Sequence, residues 1–265
     1  MTHAGEWRRT DRSFAGLSLV LDDAILSAAP DDGGRAVDLG CGAGRTSMTL
    51  ATARPDLDIV GVDISRDLVA IATERGRDLP NLRFAVADVA GDAHAIAAGA
   101  RLLFSRHGVM FYDDPAAVFG ALRGAVAPGA RLVFSCFRAP SLNPWAATLV
   151  EAVVETRPVP AAGYAPGPFG FADPDWVGAM LAAAGWTAAA ARPVDYTYIA
   201  GAGDDPVADA VAFFSRIGPA ASAIRATPPA EREVLRHRLA AALEPWHQDG
   251  RVSFPAAAWI WSARA

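Results

Sequence analysis

Short apolar runs alternate with amphipathic stretches through the first half of the chain. The apolar runs are rich in Val, Ile, Leu and Phe, as buried strands are. Strands are predicted at 35–39, 58–63, 82–86, 101–105 and 131–137, and helices at 45–53, 65–76 and 115–127. Strands that alternate with helices pack as a parallel sheet covered by crossover helices, so the pattern predicts an α/β fold.

A capped helix and two further strands are predicted in the second half. The helix covers 174–184, because Asp173 can cap its first turn, Pro174 suits the first helical position and Gly185 suits the left-handed residue after a helix. The strands are predicted at 186–193 and 257–263. Together with the earlier strands they make a seven-stranded sheet.

Two segments, 139–171 and 201–254, interrupt this alternation. The first is rich in proline and glycine around a short apolar helix at 144–155, and the second is mostly helical. We predict a single domain over 1–265 in which both segments are insertions over one edge of the sheet and form a lid on the substrate side. It is equally open that these segments have only a structural role and take no part in substrate binding.

Composition and charge exclude several classes of protein. Apolar residues make up 52% of the chain and charged residues 20%, which allows a sizeable core. The formal net charge is −5 and no long basic run occurs, which argues against nucleic acid as a partner. The two cysteines lie far apart and imply no disulfide framework. Because neither a secretion signal nor an apolar stretch of about 18 residues is visible, we expect a cytoplasmic protein without a membrane span.

A glycine-rich loop, Gly-Cys-Gly-Ala-Gly, follows the first predicted strand. Closely spaced glycines between a strand and a helix let a ligand approach the backbone at the helix N-terminus. The dinucleotide fingerprint fails, because its third small residue would be Arg45 counted from Gly40, or Ser47 counted from Gly42. A carboxylate at Asp38 would repel a pyrophosphate but suits a cation, such as the sulfonium or amino group of S-adenosylmethionine.

Acidic residues also end the next two predicted strands. Asp63 can accept hydrogen bonds from ribose hydroxyls, and Asp88 can accept one from an adenine amine. Ile64 and Val89 follow them and can cover the faces of the base. Each acid taken alone could be a helix cap. With Asp38 they form a set at the carboxyl edge of the sheet, where open α/β sheets bind ligands.

This ordered set of motifs resembles the class I S-adenosylmethionine-dependent methyltransferases. The resemblance is strong over 33–138, and two later segments are similar to a bacterial subgroup grouped with the ubiquinone/menaquinone methyltransferases. The subgroup does not define a substrate. The segments that carry the resemblance are 37–44, 61–65, 87–89, 102–111 and 127–134, followed by 169–174 and 183–186.

The resemblance implies a Rossmann-like sheet with strand order 3-2-1-4-5-7-6 and an antiparallel last strand, with helical lid insertions. It implies S-adenosylmethionine as the cofactor. The cofactor-binding residues carried over from the family motifs are Asp38, Gly40, Cys41 and Gly42 around the methionine moiety, Asp63 and Ile64 at the ribose and adenine, Asp88 and Val89 at the adenine edge, and Ser105 near the transferred methyl group.

His107 is the candidate catalytic residue. It follows the fourth strand at the ligand-binding edge, and histidine titrates near neutrality, as a general base must. A base is needed only if the acceptor arrives protonated. A hydrogen-bonded turn histidine is the open alternative. No group of His, Cys, Asp and Glu has the spacing of a metal site, so no metal is expected.

We therefore expect methyl transfer to an oxygen, nitrogen or carbon nucleophile of a small-molecule acceptor. Aromatic residues in the insertions favour a partly apolar acceptor, although these rings can equally form the core of the insertions. A second copy of the chain, as a homodimer, is an open possibility for a partner. Alternative functions are other chemistry on the same fold, such as cyclisation or decarboxylation, and a regulatory role in which the cofactor is bound but not used.

Overall fold

The computed structural model describes residues 6–153 and 163–265 of the 265-residue chain. Contacts divide the chain into two compact units. The larger contains Ser18–Arg138, Tyr164–Val194 and Ala258–Ala265. The smaller includes Ala139–Gly163 and Asp195–Ala257, which overlap the two predicted insertions. Part of the first insertion, including the end of the helix predicted at 144–155, lies outside the described residues, and the lid role of both segments stays a prediction.

Strands and helices alternate through the larger unit as predicted. The strands are β1 (Gly34–Leu39), β2 (Leu57–Asp63), β3 (Leu82–Val86), β4 (Leu102–Arg106), β5 (Arg131–Phe137), β6 (Thr187–Ala202), β7 (His247–Gln248) and β8 (Arg251–Arg264). The helices are α1 (Glu6–Ser13), α2 (Ala15–Ala28), α3 (Arg45–Ala53), α4 (Arg66–Arg75), α5 (Val89–Ala97), α6 (Pro115–Ala125), α7 (Pro144–Val153), α8 (Pro174–Ala183), α9 (Pro206–Phe214), α10 (Pro219–Ala226) and α11 (Arg232–Leu243).

The sheet has the order β3-β2-β1-β4-β5-β8-β6, with β7 paired to β8. The first five strands are parallel, and β8 runs antiparallel to β5 from Arg131 opposite Arg264 to Phe137 opposite Ala258. The predicted Rossmann-like order and its antiparallel last strand are therefore confirmed, with the two-residue β7 as an addition. The carboxyl ends of the parallel strands share one edge, which brings the loops after them together.

The last two long strands extend beyond the predicted 186–193 and 257–263. β6 continues past Pro193, and β8 includes Pro255. Proline has no N–H to donate to a neighbouring strand, so Pro193 and Pro255 each favour the end of a strand. In the structure both residues lie within strands. Helix α5 carries a non-helical residue, Asp92, in its interior, and the sequence pattern gave no prediction of a helix there.

Aromatic side chains form the core of the smaller unit. Trp145 stacks on Tyr198 with ring centroids 5.4 Å apart, and Tyr198 stacks on Phe214 at 6.3 Å. Phe213 packs against Phe214 at 5.1 Å. The packing of these rings fits the interpretation that they form the core of the insertions. Among the helices that the structure describes, none combines the length and apolarity that a bilayer crossing would need.

Candidate functional site

Three glycines of the loop between β1 and α3 adopt left-handed backbone conformations, with φ of 71° at Gly40, 55° at Gly42 and 81° at Gly44. Residues other than glycine rarely adopt this backbone conformation. The loop is tied to β2 by two hydrogen bonds. The Cys41 N–H donates to the Val62 carbonyl at 2.9 Å, and the Gly42 N–H donates to Asp63 Oδ2 at 2.8 Å.

The loop after β4 meets the glycine loop at Gly108. A Cβ on Gly108 would lie 2.6 Å from the Leu39 carbonyl oxygen and 3.1 Å from the Gly40 Cα, so the backbones approach as only glycine permits. The buried Ser105 hydroxyl donates to the Leu39 carbonyl at 2.6 Å and accepts from the Gly108 N–H at 3.1 Å. Ser105 therefore joins the ends of β1 and β4.

A single aromatic ring, that of Phe84 on β3, occupies a slot made by three glycines. A Cβ would lie 2.6 Å from the ring at Gly44, 2.5 Å at Gly61 and 3.0 Å at Gly76. A side chain at Gly44 or Gly61 would overlap the ring, and one at Gly76 would press tightly against it. The glycine loop, β2 and the end of α4 consequently pack around Phe84.

Asp38 lies beneath the glycine loop and is only 1% exposed. Its Oδ2 accepts a hydrogen bond from the Ser47 hydroxyl at 2.6 Å, whereas its Oδ1 has no partner among the residues that the structure describes. Burial raises the pKa of the carboxyl to about 7, although the Ser47 bond and the Arg106 charge oppose the rise. The site thus contains a buried carboxyl whose charged form is only partly compensated by Ser47 and Arg106.

A cavity of about 480 Å³ opens beside the ends of these strands. It brings together six of the predicted site residues, and Asp38, Cys41, Gly42 and Ser105 are not among those that line it. These four residues instead shape the loops that surround the cavity. The lining residues are Gly40, Asp63, Ile64, Ala87, Asp88, Val89, Ala90, His107, Gly108, Phe111, Tyr112 and Asp113.

Acidic and apolar groups dominate the cavity. Ile64 is 73% exposed and Phe111 52% exposed, so both offer apolar surface to a ligand in the cavity. The acidic groups are Asp63, Asp88 and Asp113, and the lining residues that the structure describes include no lysine or arginine. Such a surface suits a flat apolar ligand with neutral or cationic polar groups and disfavours a pyrophosphate. Phe111 lies in a predicted motif, but only the structure shows that its ring remains exposed.

The carboxylates of Asp63 and Asp88 differ in the hydrogen bonds that they accept from the backbone. Asp63 accepts one backbone hydrogen bond on each oxygen, from Gly42 on Oδ2 and from Ser65 on Oδ1, both at 2.8 Å. Asp88 caps α5, because its carboxylate accepts the Ala90 N–H at 3.0 Å. A carboxylate oxygen has two lone pairs, so both residues retain acceptor capacity for a ligand.

His107 lines the cavity but is 8% exposed and adopts a left-handed backbone, with φ of 59°. Its Nδ1 lies 2.8 Å from the Ser135 hydroxyl, and its ring packs edge-on against Phe137 with centroids 4.3 Å apart. Burial and, to a smaller extent, the Arg106 charge lower the pKa of the imidazole to about 3. The ring is neutral near pH 7, and titration near neutrality, which the sequence suggested, is absent.

Two residues that bear on the site are not among the predicted site residues: Tyr112, which lines the cavity, and Ser135, which contacts His107. Ser135 sits on β5, and nothing in its local pattern signals a partner. Tyr112 follows the 3-10 helix Val109–Phe111, and burial together with Asp88 and Asp63 raises its pKa far above the ordinary value. Within residues 6–153 and 163–265, no group of His, Cys, Asp and Glu is arranged to hold a metal ion.

The sequence of the chain matches known methyltransferases over about half of its length. A family model described as a methyltransferase domain matches residues 30–158. A trans-aconitate 2-methyltransferase from Methylobacterium radiotolerans is 31% identical over 146 residues, which cover 50% of this chain and 54% of that protein. The chain spans about half the length of the curated relatives it matches.

Solved structures support the fold. The YcgJ protein of Bacillus subtilis has a TM-score of 0.55 and 17% identity, covering 94% of this chain and 97% of that one. Phosphoethanolamine N-methyltransferase 2 of Haemonchus contortus, solved with S-adenosyl-L-methionine, has a TM-score of 0.51 and 14% identity, covering 92% and 51%. The sheet order, the motifs and these matches together support a class I S-adenosylmethionine-dependent methyltransferase.

Proposed function

We propose that the protein is an enzyme that transfers a methyl group from S-adenosylmethionine to a small-molecule acceptor. The observation that carries the proposal is the cavity at the strand ends, where acidic tips and exposed apolar side chains occur together without a basic residue among the described lining. When bound, the cofactor supplies a methyl group on a sulfonium, whose leaving thioether is neutral. The protein then mainly has to align the acceptor and exclude water.

The lining residues fit the adenosyl part of the cofactor. The free acceptor capacity of Asp63 suits the ribose hydroxyls, and Asp88 suits the exocyclic amine of adenine. Ile64 and Val89 offer apolar surface to the base. We propose that the backbone of Gly40 lies close to the bound ligand. Its left-handed conformation and its contact with Gly108 both require a residue without a side chain, so no side chain separates the loop from the ligand at this point.

Four predicted residues act in this proposal through the loop rather than through the cavity wall. Asp38 keeps a buried oxygen that has no partner within residues 6–153 and 163–265, and this oxygen suits a nearby positive charge such as the sulfonium or amino group. Cys41 and Gly42 donate the backbone hydrogen bonds that hold the loop against β2, and Ser105 holds the loop to β4.

For the acceptor we propose a partly apolar molecule whose nucleophile is an ionised carboxylate, held beside the sulfonium of the cofactor and away from Asp63, Asp88 and Asp113, which would repel it. His107 is too weak a base to deprotonate an acceptor near neutrality, because burial lowers its pKa to about 3. Tyr112 retains its proton, because burial raises its pKa. A carboxylate is already ionised near pH 7 and needs no base. The name of the relative from Methylobacterium radiotolerans supports this class, because trans-aconitate is a carboxylic acid.

Calorimetry with S-adenosylmethionine, S-adenosylhomocysteine and NAD tests the cofactor. We expect binding of the first two and none of NAD, and the reverse result would overturn the assignment. An assay for release of S-adenosylhomocysteine then tests the reaction with trans-aconitate, other unsaturated carboxylates, phenols and amines. Turnover of a carboxylate supports the acceptor class, and turnover of phenols or amines alone contradicts it. Cofactor binding without turnover of any acceptor would favour non-methyl-transfer chemistry or a regulatory role.

A further inference from the structure

We infer that Tyr164 is a positioning residue that fixes one wall of the cavity at the strand ends. Its hydroxyl donates a hydrogen bond to the backbone carbonyl of Tyr112, and the segment 110–112 supplies the side chains of Phe111 and Tyr112 to that wall. The hydrogen bond rests on the contacts alone, whereas its effect on the binding of S-adenosylmethionine rests on the proposed function.

The direction of this hydrogen bond follows from the chemistry of its two partners. The Tyr164 hydroxyl oxygen lies 2.5 Å from the Tyr112 carbonyl oxygen, and a carbonyl can only accept. The hydroxyl keeps its proton near neutral pH, because burial and, to a smaller extent, the Asp113 charge raise its pKa to about 12. The Met110 carbonyl oxygen lies farther away, at 3.4 Å. Tyr164 is therefore the donor, and the Tyr112 carbonyl receives its single proton.

Two aromatic contacts hold the Tyr164 ring in place. The ring stacks on Trp176 with centroids 4.8 Å apart and an interplanar angle of 3°, and it packs against the fully buried Phe171 at 5.8 Å. Trp176 belongs to α8, so the hydroxyl is attached through the ring to a regular element. Because the ring is already ordered by these contacts, the hydrogen bond costs little further side-chain entropy.

A backbone hydrogen bond supports the same wall segment. The Gly167 N–H donates to the Met110 carbonyl at 3.0 Å. Gly170 permits this close approach, since a Cβ there would lie 3.0 Å from the Met110 carbonyl oxygen and 3.0 Å from the Tyr164 ring. The carbonyls of residues 110 and 112 are thus each bound by the segment 164–170, and Tyr164 provides the side-chain contribution.

The supported segment carries two side chains of the cavity wall. Phe111 is 52% exposed, and Tyr112 lines the cavity together with Asp63 and Asp88. A displacement of the backbone at residue 112 would move both side chains. A wall that has to be ordered during binding lowers affinity, whereas a wall that is ordered beforehand does not. Loss of the Tyr164 hydroxyl should therefore weaken binding at this end of the cavity, which we assign to the nucleoside.

Carbon NMR of the cofactor-free protein with carbonyl-labelled tyrosine tests the hydrogen bond directly. The chain has four tyrosines, and Tyr112→Phe identifies the Tyr112 signal by its loss. Tyr164→Phe keeps the stacked ring and removes only the hydroxyl. Besides the loss of its own signal, we expect this variant to shift the Tyr112 carbonyl signal and to leave those of Tyr196 and Tyr198 in place. An unchanged Tyr112 signal would overturn the inference.

Calorimetry and kinetics of Tyr164→Phe test the positioning role. We expect affinity for S-adenosylmethionine to fall about fivefold, the effect of losing one neutral hydrogen bond, with a matching rise in its KM and an unchanged kcat. An aniline in place of the phenol, as para-aminophenylalanine at position 164, keeps a donor on the same ring and should restore most of the affinity.

Thr187→Val is the matched control. It also removes a hydroxyl that donates to a backbone carbonyl, that of Arg264 at 3.2 Å, and Thr187 is not among the described residues that line the cavity. Valine keeps the branched shape and suits a strand. The control should leave affinity for S-adenosylmethionine unchanged.

The outcomes separate the inference from the proposed function. Unchanged affinity in Tyr164→Phe, or an equal loss in Thr187→Val, contradicts positioning even if methyl transfer is confirmed. If the unaltered protein does not bind S-adenosylmethionine, the proposed function and the effect on affinity both fail, and the carbonyl spectrum still decides the hydrogen bond. If Tyr164→Phe does not fold, the para-aminophenylalanine protein decides: a shifted Tyr112 signal supports the hydrogen bond, and a signal identical to that of the unaltered protein contradicts it.

Discussion

Gly40 and Gly108 approach so closely that a Cβ on Gly40 would lie 3.1 Å from the Gly108 Cα. This contact joins the loops after β1 and β4 at one wall of the cavity. Because the backbone of each residue occupies the space of the other's side chain, the distance between the two loops depends on both being glycine.

Gly108→Ala is therefore expected to displace the loops. The new methyl group would lie 2.6 Å from the Leu39 carbonyl oxygen and 2.8 Å from the Ser105 hydroxyl. We expect a cost of roughly 1–3 kcal/mol in unfolding free energy from overpacking, and weaker binding of S-adenosylmethionine. Urea unfolding and calorimetry measure the two effects. Gly124→Ala in α6 is the control, because its Cβ meets nothing within 4 Å and should stabilise the helix by about 0.5–1 kcal/mol. Equal stability of both variants would contradict the steric account.

The slot around Phe84 predicts a coupled pair of substitutions. Gly61→Ala places a methyl group 2.5 Å from the Phe84 ring and should destabilise the protein. In a Phe84→Leu background the methyl group has more room, so the same substitution should cost less. A double-mutant cycle by urea unfolding should give a coupling of about 1 kcal/mol. Additive effects of the two substitutions would show that the ring does not fill the slot.

Burial of Asp38 predicts a specific pH dependence of stability. The folded protein raises the pKa of the Asp38 carboxyl to about 7, whereas the ordinary pKa of a free aspartate is 3.8. Between these values the folded state binds more protons than the unfolded state, so this group lowers stability as pH rises through that window. Asp38→Asn should remove this part of the slope, as measured by urea unfolding at a series of pH values. The same slope in the variant and the unaltered protein would rule out Asp38 as its source.

Ile64 offers a test of the nucleoside end of the cavity. Because its side chain is 73% exposed, Ile64→Ala should change stability by less than about 0.5 kcal/mol. If Ile64 covers the adenine, affinity for S-adenosylmethionine should fall by about 1 kcal/mol, roughly fivefold. Val234→Ala, at an exposed apolar position of α11, is the matched control and should leave affinity unchanged. Equal affinities for both variants would remove Ile64 from the proposed site.

The parallel half of the fold could be predicted because its signals are local. Alternating apolar runs depend on neighbours in sequence, as does the helix cap at Asp173 outside this half, and their elements occur as expected. The length of β6 and β8 could not be predicted, because strand pairing overrides the local signal of Pro193 and Pro255. Long-range pairing is a property of the whole sheet.

In the candidate site, too, local features could be predicted from the sequence and long-range contacts could not. Asp63 and Ile64 were predicted from their place at a strand end, and both line the cavity. The position of His107 was predicted as well, but not its pKa, since that depends on burial by distant residues. Ser135 is 28 positions away from its partner, and only folding reveals the pair.

The two backbone hydrogen bonds to Asp63 have a consequence for the thermodynamics of binding. Gly42 and Ser65 each donate to a different oxygen, so both torsions of the aspartate side chain are fixed before any ligand arrives. The conformational entropy of this side chain is therefore lost during folding, and association of a ligand does not have to freeze it again.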